Sequence, residues 1–155
     1  MKLINLALSV WLIAAQSPTR STDVAIPGLD VHLKAGWRLL IEHNCRFAVP
    51  VPWRLSADGT AATAPDGSML SVTPVHLPNW TAHKAAVQRT LRGVIAIHEN
   101  SDRRLWIEFV AAAMHEHYIA VTDGSETCVG VLSIRNAASE PETSHVIADS
   151  IGPAR

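Results

Sequence analysis

At 155 residues, with 48% hydrophobic and 17% charged side chains, the chain is the size of one domain and has a globular composition that excludes disorder. Its formal net charge is -1, from 13 Lys plus Arg against 14 Asp plus Glu. Nucleic-acid affinity comes mainly from neutralising phosphates, so a near-neutral chain without basic runs is not expected to bind nucleic acid. The same balance argues against electrostatic docking on anionic lipid.

Residues 1–16 have the three-part order of a cleavable signal peptide. Lys2 gives a positive start, Leu6 to Ala15 an apolar stretch, and Ala14, Ala15 and Ser17 small residues ahead of Pro18. The apolar run falls short of the roughly 20 residues a spanning helix needs. An uncleaved anchor is the alternative. No later stretch is long and apolar enough to span a bilayer, so no membrane span is expected after cleavage. The expected location is secreted or periplasmic. The expected organisation is a leader over 1–16, an extension over 17–44, and a single α+β domain over 45–152.

Within the extension, 16–27 is polar and reads as a flexible start. Residues 28–43 suit either strands or a short helix. From Cys45, the residues Phe47, Val49 and Val51 alternate with Arg46, Ala48 and Pro50, the period of a half-buried strand. Pro50 and Pro52 cannot donate to a ladder, so the strand lies at an edge or ends there. Asp58-Gly59 and Asp66-Gly67 mark turns around strands at 60–64 and 68–75. Asn79 or Thr81 can cap a helix over 82–92 that turns Ala85, Ala86, Val87 and Leu91 toward the core, with Gly93 just past its end.

Four strands follow at 94–99, 104–110, 115–121 and 126–134, separated by short turns that imply an antiparallel meander. Leu105, Ile107 and Phe109 share one face of the second, and Cys128, Leu132 and Ile134 one face of the fourth. A last helix over 143–150 buries Val146 and Ile147, with Ile151 behind it. The fold class is therefore α+β, an antiparallel sheet of about six strands covered by helices.

Cys45 and Cys128 are the only two cysteines. In an oxidising compartment such an even pair is expected to be bridged, and two buried thiols are the alternative. Closing so long a loop would stabilise the fold by roughly 4 to 5 kcal/mol through lost chain entropy.

The run Phe47-Ala48-Val49-Pro50-Val51-Pro52-Trp53, the helix and meander behind it, and the closing Ile147-Ala148-Asp149-Ser150-Ile151 resemble the PsbP/Mog1-like α/β/α sandwich group over about 45–151. The resemblance implies an αβα sandwich. It also implies a role among that group's extrinsic subunits of photosynthetic complexes, binding partners of small GTPases, or envelope proteins. A leader favours the envelope members.

His115 and His117 are the chemical lead. Two imidazoles at i and i+2 of a strand point to one side and can ligate a transition metal. Glu108 or His98, on neighbouring strands, could add a third ligand. A polar, solvent-facing sheet side is the plainer reading. Among the tryptophans, Trp37, Trp53 and Trp106 suit the core, whereas Trp80 at a helix start suits a partner surface together with Arg103 and Arg104. Ser71, Ser133 and Ser150 lack the Gly-x-Ser-x-Gly setting of a hydrolase elbow, and no Gly-rich phosphate loop is present. The expectation is a non-enzymatic exported domain that binds a protein partner or serves as accessory subunit of an envelope complex. It needs no cofactor. A domain binding metal or a small ligand through His115 and His117 is the alternative.

Overall fold

The computed structural model describes residues 24–25, 32–33, 35–135 and 141–154. The expected leader lies outside them. In chain order the elements are β1 (Val24–Ala25), β2 (His32–Leu33), β3 (Trp37–Glu42), β4 (Cys45–Pro50), β5 (Arg54–Leu55), β6 (Ala61–Thr63) and β7 (Met69–Val75). Helix α1 (Trp80–Thr90), the meander β8 (Val94–Asn100), β9 (Arg104–Ala111), β10 (Met114–Thr122) and β11 (Thr127–Ile134), helix α2 (Pro141–Ser150) and β12 (Gly152–Pro153) complete the chain.

Among the described residues the strands form three antiparallel sheets. The largest has seven strands in the order β5-β6-β7-β11-β10-β9-β8, a second has the order β12-β4-β3, and β1 pairs with β2. The α+β class and the meander stand as expected, but about six strands in one sheet does not. The difference arises because β4 is the centre of its own small sheet, flanked by β3 through a hairpin and by β12 from the chain's far end. Pairing of Trp37–Glu42 with Cys45–Pro50 carries the folded body back ahead of Cys45.

The main core lies between this small sheet, α2 and one face of the large sheet. Phe47 and Val49 from β4, Leu70 and Val72 from β7, Ile119 from β10, Leu132 from β11, and Ile147 and Ile151 from the C-terminal segment meet there. Gly130 makes room for Ile151, whose Cδ1 would lie 2.5 Å from a Cβ at that position. Ser150, fully buried, accepts from the Ala48 amide at 2.7 Å and donates to the Ile147 carbonyl at 2.7 Å, so no polar atom of that hydroxyl is left unmet. Cys45 is bonded to Cys128, joining β4 to β11 across 83 positions of sequence with their Cα atoms 5.7 Å apart. The expected disulfide is present.

The opposite face of the large sheet carries α1. Asn79 caps it, its side chain accepting from the Ala82 amide at 2.9 Å. Gly93 follows with φ +67°, and a Cβ there would lie 2.7 Å from the Val110 carbonyl oxygen, so this corner admits only glycine. The expected inward face of α1 is corrected by the structure, because none of its residues is buried. Polar contacts anchor it: His83 to the Tyr118 hydroxyl at 2.8 Å, and Lys84 to the Ser101 carbonyl at 2.7 Å. Two smaller differences follow from strand ends. Val51 lies beyond β4 and is 53% exposed, and Val146 is only half-buried. Among the described residues no helix is long and apolar enough to cross a membrane.

Candidate functional site: a histidine and carboxylate cluster

The inner face of the large sheet is aliphatic toward β7 and β11 and polar toward its β8 edge. Two local irregularities build the polar end. The first is the turn between β9 and β10. Ala112 and Ala113 both have positive φ, at 49° and 63°, which closes the hairpin in two residues. Alanine has no intrinsic liking for this region, so the turn is imposed by the pairing on either side. That turn sets the register in which Glu108 lies opposite His117, and Trp106 opposite Ile119.

The second irregularity is a bulge in β8. The register shifts between Ile97 and Glu99, so that His98 and Glu99 both stand beside Trp106. Simple alternation would send them to opposite faces. Instead the His98 ring stacks on the Trp106 indole with centroids 4.3 Å apart, and Glu99 reaches Arg104 at 3.5 Å.

Glu108 is the pivot of the cluster. His98 Nε2 donates to its Oε2 at 2.9 Å, and His115 Nδ1 donates to its Oε1 at 3.3 Å. Burial pushes the Glu108 carboxyl up, but the two hydrogen bonds and the nearby imidazoles outweigh it and hold the carboxyl below its usual range. His117 is 5% exposed. Trp106 Nε1 donates to its Nδ1 at 3.2 Å. An indole N–H can only donate, so the facing nitrogen is an acceptor and the His117 proton sits on Nε2. Burial pushes His117 down to about 4, against the pull of Glu108 and with the help of His98, His145 and His115. The ring is therefore neutral at neutral pH, the form that ligates metals.

His98, Glu108 and His117 each offer a ligand atom, and these atoms lie within 4.8 Å of one another. The structure thus brings His117 together with both residues considered as third ligands. His115 stands one step out, on the far oxygen of Glu108. Sequence reasoning did not single out His145. It reaches the cluster from α2, edge-on to Trp106 at 4.9 Å and to His98 at 5.5 Å. No local pattern could have found it, because α2 and β8 meet only in the folded chain.

The residues expected at a partner surface separate. Trp80 is half-buried, its Nε1 directed at the Ser101 carbonyl at 3.4 Å, and it shares a cleft of about 310 Å³ with Asp102 and Arg103. Arg104 points to the inner face, bonded to Asp149 at 3.0 Å and lying over the Trp106 ring at 5.1 Å. The two arginines separate because Arg103 lies in the turn before β9, whereas Arg104 is the first residue of the strand. Trp53 and Trp106 are buried, each 5% exposed.

The chain is similar to the solution structure of cyanobacterial PsbP (CyanoP) from Synechocystis sp. PCC 6803, at 12% identity and a TM-score of 0.53, over 84% of this chain and 98% of that one. The fold is PsbP-like. This agrees with the resemblance read from the Phe47–Trp53 run and the closing helix. No protein-family profile matches the chain, and no curated protein does.

Proposed function

We propose that the protein is an exported, non-enzymatic accessory domain that holds a transition-metal ion at His98, Glu108 and His117. One observation carries the metal reading: three ligand atoms from three adjacent strands converge within 4.8 Å. Two imidazoles and a carboxylate suit zinc or copper(II), whereas calcium and magnesium want all-oxygen sites. The leader-like 1–16 and the Cys45–Cys128 bond support export, since disulfides persist in oxidising compartments. The PsbP-like fold supports an accessory role rather than a catalytic one.

Binding has a definite cost here. A metal bound by His98 Nε2 and Glu108 breaks their hydrogen bond, and the His98 ring proton moves to Nδ1. His117 must give up the indole bond at Nδ1 in either case: the ion takes Nδ1 directly, or it takes Nε2 and the ring proton moves to Nδ1. Both routes place the ion beside the Trp106 ring, so tryptophan fluorescence should report occupancy. Calorimetry of the mature protein with zinc and with copper(II) is the test. The expected result is saturable one-site binding, abolished in His98→Ala and in His117→Ala. Absence of binding heat in the wild type, or heat unchanged in both variants, ends the reading.

A further inference from the structure

We infer that His145 of α2 closes this site as its fourth ligand, so that a bound metal staples α2 to the β8–β10 end of the large sheet. The inference rests on the three-residue site proposed above and concerns what that site does once filled.

Zinc sites are four-coordinate, and those with four protein ligands are structural whereas those with three keep an open position for chemistry. His98, Glu108 and His117 supply two nitrogens and one oxygen, which leaves one position to fill. Among the described residues, His115 and His145 are the histidines beside the cluster that could compete for it. His115 lies on the same strand as His117, but its Nδ1 donates to Glu108 Oε1 at 3.3 Å, away from the oxygen that His98 shares. That contact suits an outer partner that orients the carboxylate. His145 touches the cluster through its ring instead. It stands edge-on to His98 at 5.5 Å and to Trp106 at 4.9 Å, on the side of the cluster that faces α2.

The helix is held so as to keep it there. Asp149, one turn further along α2, accepts from Arg104 at 3.0 Å. Positions i and i+4 share a stripe of a helix, so the contact that seats Asp149 on β9 also seats His145 above β8 and β9. The neighbouring stripe, Ser144, Ile147 and Ala148, is buried in the main core. His145 stands outside the set of three atoms within 4.8 Å, so closure requires its exposed side chain to change rotamer. The ring already packs against two rings of the cluster, so the helix presents it to the ligand atoms.

A site closed in this way has no position for a reacting water. Its consequence is mechanical: α2 becomes tied to the sheet at both edges, by burial along one stripe and by the metal along the other.

Hydrogen exchange and calorimetry with zinc chloride, on the full mature protein, decide the matter. In the wild type, zinc should slow amide exchange across Pro141–Ser150. His145→Ala should bind zinc at least the roughly tenfold more weakly that loss even of an outer-shell partner brings, and should lose the slowing in α2. Its metal-free melting temperature should match the wild type, since the side chain is exposed. If zinc binds the wild type but leaves α2 exchange unchanged, or if His145→Ala binds as tightly as the wild type while His98→Ala does not bind, the fourth-ligand inference falls and the three-residue site stands. If the wild type binds no zinc, both fall.

Discussion

The two helices lie on opposite faces of the same sheet and are held there by different means. Helix α2 buries Ser144, Ile147, Ala148 and Ser150, whereas α1 buries nothing. On the α2 side, apolar surface leaves water and a disulfide ties the small sheet to the large one. On the α1 side the sheet covers Leu105, Ile107 and Ala120, but the helix buries no residue of its own, and Tyr118 and the Ser101 carbonyl anchor it through His83, Trp80 and Lys84. Burial is worth kilocalories per side chain, whereas a typical hydrogen bond contributes about 1 kcal/mol net. The inner side should therefore set global stability, and α1 should be the first element to open.

The largest effect expected from breaking this asymmetry is at Cys45–Cys128. Replacing both with Ser, or reducing the bond, should lower unfolding free energy by roughly 4 to 5 kcal/mol in urea titrations, because the 83-residue separation leaves a long loop free in the unfolded chain. A loss under about 1 kcal/mol would mean that the sheets hold together without it.

Core truncation comes next. Ile147→Ala should cost about 3 kcal/mol, the usual range for deleting a fully buried aliphatic side chain. Val87→Ala on α1, where the side chain is only half-buried, should cost less than about 1 kcal/mol. Equal losses would erase the distinction between the two faces.

The polar end of the inner face contributes an effect that appears only on acidification. His117 is held down to about 4 from an ordinary 6.5. Its unfolded form takes up a proton that the folded form refuses between these values, so the stability it contributes is complete above pH 6.5 and is lost as pH falls toward 4. Each pH unit crossed in that window removes at most ~1.4 kcal/mol, so the whole loss is no more than about 3 kcal/mol. Urea titrations in the presence of a chelator, at about pH 7, 5.5 and 4, should show this fall, and His117→Leu should flatten it. A slope unchanged in the variant would assign the acid sensitivity to other groups.

Much of the fold was legible because its signals are local. The period-2 run at 126–134 reports one dry face, and the structure buries Cys128, Leu132 and Ile134 as the alternation requires, whereas in 104–110 Leu105, Trp106 and Ile107 are buried on both faces. Asn79 caps α1 because its carboxamide oxygen reaches an amide three residues on, a matter of a single turn. The partition into two sheets was not legible. Nothing in Cys45–Pro50 states whether its partners come from the meander or from residues 37–42 and 152–153. The inward face of α1 failed for a related reason. Ala85, Ala86 and Val87 have the spacing of a packed stripe, but they are small, and polar contacts at 80, 83 and 84 set where the helix sits.

The candidate site divides along the same line. The sequence alone put His115 and His117 on one side of one strand and named Glu108 and His98 as neighbours in the meander, since alternation and strand order follow from local chemistry. It also supplied the α+β class and an expected Cys45–Cys128 bond, which the structure shows. Tertiary structure decided which imidazole enters the cluster, through an alanine turn whose positive φ no residue preference foretells and a bulge that turns His98 onto Trp106. It alone brought His145 to the same place. Contacts between elements far apart in sequence are fixed by the packing of whole faces, and that packing is a property of the assembled layers rather than of any segment within them.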